Sequence, residues 1–353
     1  MSDQSGTVTA VDRDRQTGSV ALAGMTGSGR PTLLLNASFL DVLPQVQPSL
    51  DAAGLSCITL PELQALPASE RRAWIASAEV VFGPGPFTRE DIVEAHRLKV
   101  IALASSGYES VDVATATERG IVVTYAPTQM GTDSVGDFTF GLILDVAREI
   151  AKSDHRLKSG VWQRPLGAMV WGKTLGVIGF GRIGSAVARR ARGFNMRVLT
   201  QPHNATNPLA VELGVESVPL EELLQRSDVV SVHSRLNPAT RHFLGRAQLR
   251  QMKETAYLIN TARADIIDPD ALSEALAQGW IAGAGLDVFH GEPNTDNPIL
   301  SFPNVVATPH LGNRTREGVI DVVECSVRCA QSVLRRERPE FVVNPEVYEQ
   351  GVR

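Results

Sequence analysis

From position 32 onward the chain alternates short apolar runs with longer amphipathic stretches. TLLLN at 32–36, CITL at 57–60, EVVFG at 79–83, KVIALA at 99–104 and GIVVTY at 120–125 are each bounded by turn residues. Runs that are apolar throughout, rather than at every second position, predict parallel strands buried on both faces, with crossover helices between them. A long helix follows. Ser134 and Asp137 have capping-box spacing at its predicted start, and Val135, Phe138, Leu142, Val146 and Ile150 repeat at helical intervals. The stretch 160–171, holding Trp162, Pro165 and Trp171, reads as a loop whose tryptophans pack inward. A second strand series then runs through TLGVIG at 174–179, RVLT at 197–200, VVSVH at 229–233, AYLIN at 256–260, IAGAGLDV at 281–288 and NVVATPH at 304–310. A final helix over 315–336 is expected to bury Val319, Val322, Val323, Val327, Ala330 and Leu334. Residues 1–31, rich in Gly, Ser, Thr and Asp, carry no apolar period and are expected to form a flexible leader. The pattern therefore predicts two doubly wound α/β parallel-sheet units.

Length and composition agree with that picture. A chain of 353 residues is more than twice a typical domain, and 43% hydrophobic with 21% charged residues is ordinary for a globular protein. The net charge of −5 argues against a nucleic-acid-binding surface. No apolar run reaches the length of a membrane span, and the opening MSDQSG lacks a signal-peptide core, so a cytoplasmic protein with no membrane partner is expected. Cys57, Cys325 and Cys329 show no metal-ligand spacing; no metal is expected, and Cys325 and Cys329 are read as small buried residues. His96 and His155 are read as surface residues on helices, and Trp74 as the cover of a domain edge.

Gly179-Phe180-Gly181-Arg182-Ile183-Gly184 follows a predicted strand and opens a predicted helix. That context gives a G-x-G-x-x-G its meaning. Gly179 serves the tight turn, Gly181 the approach of a pyrophosphate and Gly184 the contact of helix with strand, while the Arg182 and Ile183 amides sit at the positive end of a helix dipole. About 20 residues on, where a carboxylate would bind the ribose hydroxyls of NAD, the chain reads Val-Leu-Thr-Gln-Pro-His-Asn. No cation for a 2′-phosphate is there either. Gln201, His203, Asn204 and Thr206 can hydrogen-bond either dinucleotide, and Arg235 is read as solvated or as reaching the adenosine end. NAD(H) and NADP(H) both remain compatible with this pattern.

Three later segments place chemistry at predicted strand ends, where open α/β sheets bind ligands. They are INTAR at 259–263, GLDVFHGEP at 285–293 and TPHLG at 308–312. Arg263 offers a fork matched to a carboxylate. His310 offers a proton carrier near neutral pH, and Glu292 an acidic partner that raises its pKa. His290, close to Glu292 in sequence, is the rival to His310, and His233 is read as lining the cofactor.

These segments, with GKTLGVIGFGRIG at 172–184 and SDVVSVH at 227–233, resemble the D-isomer-specific 2-hydroxyacid dehydrogenases in order and spacing over about residues 32–347. The resemblance implies Rossmann-like and flavodoxin-like domains with a cleft between them. It assigns 133–314 to an NAD(P)-binding domain, and 32–132 with 315–353 to a discontinuous substrate domain. It implies an NAD(P)-dependent oxidoreductase, a 2-ketoacid reductase interconverting a 2-keto acid and a D-2-hydroxy acid, and commonly a homodimer. Arg263 then corresponds to the substrate clamp, His310 to the acid/base and Glu292 to its tuning carboxylate. Asp287 falls near the nicotinamide carboxamide, and Thr261, Ala262 and Gly312 line the nicotinamide; His233, Ser234, Arg235 and Thr240 complete the expected cofactor contacts. Ser106, Gly107 and Tyr108 match the loop that binds the substrate carboxylate. Ala264 departs from the Gly usual after that arginine, which puts the local turn in question. Alternatives on the same fold are a phosphite- or formate-type anion dehydrogenase and a nucleotide-sensing corepressor or scaffold.

Overall fold

A computed structural model describes residues 9–10, 32–60, 66–83, 85–204 and 207–350. The chain forms two compact units, residues 1–131 with 315–353, and residues 132–314. In the first, β1 (Thr9–Ala10), β2 (Thr32–Asn36), β3 (Ser56–Leu60), β4 (Val80–Phe82), β5 (Val100–Ala102) and β6 (Val122–Thr124) form a sheet ordered β1-β3-β2-β4-β5-β6. In the second, β7 (Thr174–Ile178), β8 (Arg197–Thr200), β9 (Glu216–Ser217), β10 (Val229–Val232), β11 (Tyr257–Asn260), β12 (Gly283–Leu286) and β13 (Val305–Ala307) are ordered β13-β12-β11-β10-β7-β8-β9. Neighbouring strands are parallel in both sheets. The second order reverses direction between β7 and β10, the topological switch point of a Rossmann sheet.

Uniform burial of β4, β5, β6, β10 and β12 follows from covering both faces, whereas the edge strands β9 and β13 are exposed or half-buried. Val80 and Phe82 join one apolar cluster with Val319, Val322 and Val323, while Val81 joins the other with Trp74 and Ile75. Each fully buried Val or Ile contributes roughly 1.5–3 kcal/mol relative to exposure. The helix Arg316–Leu334 thus carries the chain back into the first unit. The hydroxyl of its N-cap Thr315 accepts the Gly318 N–H at 3.0 Å. Among the described residues no helix is long and apolar enough to cross a membrane.

Several local expectations are corrected. Thr9–Ala10 pair with Ile58 and Thr59 at the sheet edge, so this pair is not a detached leader; the rest of 1–31 lies outside the described residues. The long helix is Gln129–Arg148, starting more than a turn before Ser134, which is buried inside it. The Gly131 N–H donates to Thr128 Oγ1 at 3.3 Å, a cap-type bond that begins the helix earlier. At Glu149 the backbone turns left-handed (φ 51°), so Ile150 opens a separate helix and is 55% exposed. Leu334 is only partly buried. Trp162 and Trp171 are 82% and 56% exposed rather than packed, and Trp74 belongs to the core, not an edge. His96 lies in a turn after the helix Arg89–Val93, paired with Arg119.

Candidate active site

The glycine turn sits at the switch point, between β7 and the loop after β10. Gly179 has φ +92°, and a Cβ there would lie 2.5 Å from the Ser234 amide nitrogen and 2.7 Å from the His233 carbonyl carbon. Only glycine satisfies both the backbone angle and the close approach of the β10 loop. A Cβ on Gly184 would meet the Gly179 carbonyl oxygen at 2.2 Å, so this position lets the helix Arg182–Gly193 pack on β7. Gly181 differs: a Cβ there would meet nothing within 4 Å. No side chain caps the helix at Gly181, and its first turn holds no acidic residue. An open approach to an uncapped positive helix end fits a dinucleotide pyrophosphate.

Other expected cofactor residues follow the ends of the neighbouring strands β8 and β10. Asn204 Nδ2 donates to Thr200 Oγ1 at 3.2 Å, next to Gln201 at the end of β8. The His203 side chain and Thr206 lie outside what is described. His233 Nε2 is 2.8 Å from Ser231 Oγ, while its buried Nδ1 has no protein partner. Desolvation pushes this imidazole down to about 3, so it remains neutral at physiological pH. Arg235 is exposed, and its carbonyl accepts the Thr240 hydroxyl at 2.6 Å. Asn207, which the motif did not single out, donates to the Phe180 carbonyl at 3.0 Å and so ties the glycine turn to the segment after β8. Its only sequence signal was an Asn-Pro helix start, where Asn207 Oδ1 takes the Leu209 N–H.

Arg263, Asp287, Glu292 and His310 follow the ends of β11, β12 and β13 in this same unit. Asn260, 1% exposed, shapes the arginine turn: its Oδ1 accepts the Ala262 N–H at 3.0 Å and its Nδ2 donates to the Arg263 carbonyl at 2.9 Å. Arg263 Nη1 donates to the Ala262 carbonyl at 2.7 Å. Ala264 begins a short 3-10 helix, Ala264–Ile266, and is not among the positive-φ residues, so the departure from Gly is accommodated without strain. Thr261 Oγ1 lies 3.1 Å from Thr139 Oγ1 on the long helix, a contact invisible to motif spacing.

The histidine is held from two sides. His310 Nδ1 is 2.7 Å from Glu292 Oε2, and Glu292 Oε1 accepts the Phe289 N–H at 2.7 Å. The Glu292 hydrogen bond, aided by the charges of Glu292 and Asp287, raises the His310 pKa above its usual value, against burial and the charge of Arg263. Burial works to raise the Glu292 carboxyl, but the bond to His310, its charge, the Phe289 amide and Arg263 hold it below the usual range. Arg263, Glu292 and His310 are thus mutually within electrostatic reach. Asp287 is 1% exposed; its Oδ1 accepts Thr308 Oγ1 and the Leu311 N–H, each at 2.7 Å, and its Oδ2 accepts the Gly312 N–H at 2.8 Å. Both its oxygens are therefore committed to the histidine loop. Burial is the main reason its carboxyl is raised, only partly offset by those bonds and by His310.

His290 does not join this set. Its Nδ1 lies 2.6 Å from Asp265 Oδ1 instead. Ser106, Gly107 and Tyr108 follow β5 in the other unit, where Ser105 Oγ donates to the Gly107 carbonyl at 2.7 Å and the Tyr108 ring meets Tyr125 edge-on at 6.4 Å. Among the described residues no group of three His, Cys, Asp or Glu side chains is placed to hold a metal ion.

Residues 140–312 match the family model described as the NAD binding domain of D-isomer specific 2-hydroxyacid dehydrogenases. The chain is 43% identical over 269 residues to a glyoxylate reductase of Korarchaeum cryptofilum, covering 74% of this chain and 81% of that one. It is 42% identical over 268 residues to a glyoxylate reductase of Pyrococcus furiosus, covering 73% and 80%. Among solved structures it resembles a D-lactate dehydrogenase of Aquifex aeolicus complexed with NAD and lactic acid, with TM-score 0.76, 28% identity and coverage of 88% and 98%.

Proposed function

Because the chain belongs to the D-isomer-specific 2-hydroxyacid dehydrogenases and carries their NAD-binding domain, we propose that it reduces a short 2-keto acid, glyoxylate foremost, to the corresponding 2-hydroxy acid, and runs the reverse oxidation. The observation that carries this reading is the His310–Glu292 contact of 2.7 Å within the electrostatic reach of Arg263. The names of the relatives support glyoxylate as the first acid to try.

NAD(H), when bound, supplies or takes up the hydride. The glycine turn and the first amides of the helix Arg182–Gly193 would hold its pyrophosphate. Thr261, Ala262 and Gly312 would line the nicotinamide. Arg263 grips the substrate carboxylate and stabilises negative charge developing on the carbonyl oxygen. Glu292 engages Nδ1 of His310, so Nε2 is the atom that hands a proton to that oxygen in reduction and removes it in oxidation. The raised pKa keeps the acid form available near neutral pH. Residues 32–132 with 315–353 form the substrate domain in this reading, and the loop at Ser106–Tyr108 binds the substrate carboxylate through its amides. A second copy of the chain is the partner, supported by the exposed apolar side chains between residues 150 and 171.

The test is steady-state oxidation of NADH and NADPH, each alone, with glyoxylate, hydroxypyruvate, pyruvate, phenylpyruvate and branched keto acids. Turnover with at least one acid is expected. Tight cofactor binding without turnover on any of them would instead make the chain a nucleotide-sensing scaffold.

A further inference from the structure

A second histidine–carboxylate pair lies beside the first. Asp265 Oδ1 takes His290 Nδ1 at 2.6 Å, Asp265 Oδ2 is paired with Arg241 Nη1, and the Asp265 carbonyl accepts the His242 N–H at 2.7 Å. The His242 and His290 rings face each other edge-on at 6.4 Å. One residue therefore joins the loops that follow β10, β11 and β12.

The neighbours in sequence give this junction its meaning. Arg263 lies two residues before Asp265, and Glu292 two residues after His290. Between His290 and Glu292 stands only Gly291, with φ +70° and open space where a Cβ would project. Packing at Gly291 does not restrain the Glu292 loop. The contacts of this loop include the His290–Asp265 pair, the Phe289 N–H bond to Glu292 Oε1 at 2.7 Å and a bond from Asn294 Nδ2 to the His290 carbonyl at 3.1 Å. Below the junction, the Leu244 N–H donates to the Ile266 carbonyl and the Asp268 N–H to the Leu244 carbonyl, both at 3.1 Å, so the β10 loop is already docked on the arginine turn. The side chains of His290 and Asp265 are 34% and 28% exposed. They are not core residues, and partly exposed ion pairs usually contribute only modestly to stability.

We propose that Asp265 is a positioning residue, which fixes the Glu292 loop against the Arg263 turn through His290 and so sets the spacing between the guanidinium and the Glu292–His310 pair. The inference rests on the proposed dehydrogenase reading for its consequence in turnover, but not for its consequence in the free protein. There, a loosened Glu292 engages His310 less well, leaving Asp287 and Arg263 as the other charges acting on that imidazole. The charged or titratable groups facing the junction itself are Arg241, His242 and, through His242, Asp268.

The experiment compares Asp265→Asn, His290→Gln and the double variant with wild type in the full chain. Proton NMR follows the His310 imidazole titration without ligands, with His310→Gln used for assignment. Steady-state kinetics follow the best keto acid and NADH. Each single variant is expected to move the His310 titration to lower pH and to cut kcat by ~10–100-fold, the scale of a misplaced catalytic group, with NADH affinity within about twofold. The double variant should be no worse than either single one, and Asp265→Glu should restore part of the loss. If a variant does not fold, Arg241→Gln, which removes only the second arm, is expected to give a smaller shift in the same direction. An unmoved His310 titration, or additive losses in the double variant, would overturn the proposal. A wild type inactive on every keto acid overturns the dehydrogenase reading alone, because the NMR titration still decides the role of Asp265.

Discussion

Nδ1 of His310 and Oε2 of Glu292 are 2.7 Å apart, and the two groups shift each other in opposite directions. His310 is raised from 6.5 and Glu292 lowered from 4.5, so the ionised pair is intact between those two values and for some distance beyond each. Stability owed to the raised histidine is fully present below pH 6.5 and is lost as pH rises through its folded-state value. Stability owed to the lowered glutamate is fully present above pH 4.5 and is lost as pH falls through its folded-state value.

In the proposed mechanism, reduction consumes the protonated imidazole. In wild type, kcat/KM for keto-acid reduction is therefore expected to hold through pH 6.5 and decline only above it. Glu292→Gln removes the charge and the best acceptor, and should bring that decline to lower pH. His310→Gln should remove the titration altogether, along with about 10²–10⁴-fold of rate. A pH profile from 5 to 9 in a constant-ionic-strength buffer reads both effects; an unshifted decline in Glu292→Gln would take the tuning role away from Glu292.

Arg263→Lys keeps the charge and loses the planar fork. An ammonium cannot grip a carboxylate through two parallel bonds, nor replace the Nη1 bond to the Ala262 carbonyl in the same geometry. Hydrogen bonds to charged groups are worth about 1.5–3 kcal/mol, so kcat/KM for the keto acid should fall by ~10–100-fold. NADH affinity, measured by fluorescence titration, should stay near wild type. Retained kcat/KM would move the carboxylate clamp elsewhere.

These two residues show what the sequence could and could not disclose. A parallel β/α series delivers the residues after each strand to one edge of the sheet, so Arg263, Glu292 and His310 were readable as a set once the apolar runs had been placed. Most strand positions followed from uniformly apolar runs, because the central strands are covered on both faces; the two-residue edge strands Thr9–Ala10 and Glu216–Ser217 carry no such run and were missed. Side-chain partners across loops have no such period. Nothing in the spacing paired His290 with Asp265 rather than with Glu292, or committed both Asp287 oxygens to the Thr308–Gly312 loop. The helix start at Gln129 was missed because Ser134 carried a capping signature, whereas Thr128 supplies the bond. Trp162 and Trp171 were read as buried on residue type alone, and type does not reveal which face a loop turns outward.

Two glycines of one turn should fail in different ways. Gly181 has an ordinary φ of −84° and open space where a Cβ would stand, so Gly181→Ala is expected to fold and melt like wild type. The added methyl occupies the approach to the helix end and should weaken NADH binding by about tenfold or more, ~1.4 kcal/mol. At Gly184 a Cβ would lie 2.2 Å from the Gly179 carbonyl oxygen and 3.1 Å from Val177 Cγ1, so Gly184→Ala must push the helix off β7. Its expected signature is a loss of about 1–3 kcal/mol in stability. Thermal unfolding and cofactor titration on both variants separate the two roles, and equal melting temperatures would contradict the packing role of Gly184.

The segment between residues 150 and 171 holds Trp162, Leu166, Met169 and Trp171 at 82%, 102%, 65% and 56% exposure, with Ile150, Leu157 and Val161 also half exposed. Scattered apolar side chains on a surface need no explanation, whereas a contiguous patch of them marks an interaction site, and the homodimer proposed above predicts that this run is its contact. Tryptophans in such a run act as anchors, because they bury a large area at little entropic cost. A stable homodimer needs about 800 Å² from each partner, and one copy of the segment laid against another brings several large side chains to that contact. Light scattering should therefore give twice the 38.0 kDa chain mass for wild type. Trp162→Glu with Leu166→Glu places two charges where desolvation would be costly, and should release monomers at micromolar concentration while leaving the far-UV circular dichroism unchanged. A monomeric wild type, or a double variant that stays dimeric, would remove this segment as the dimer contact.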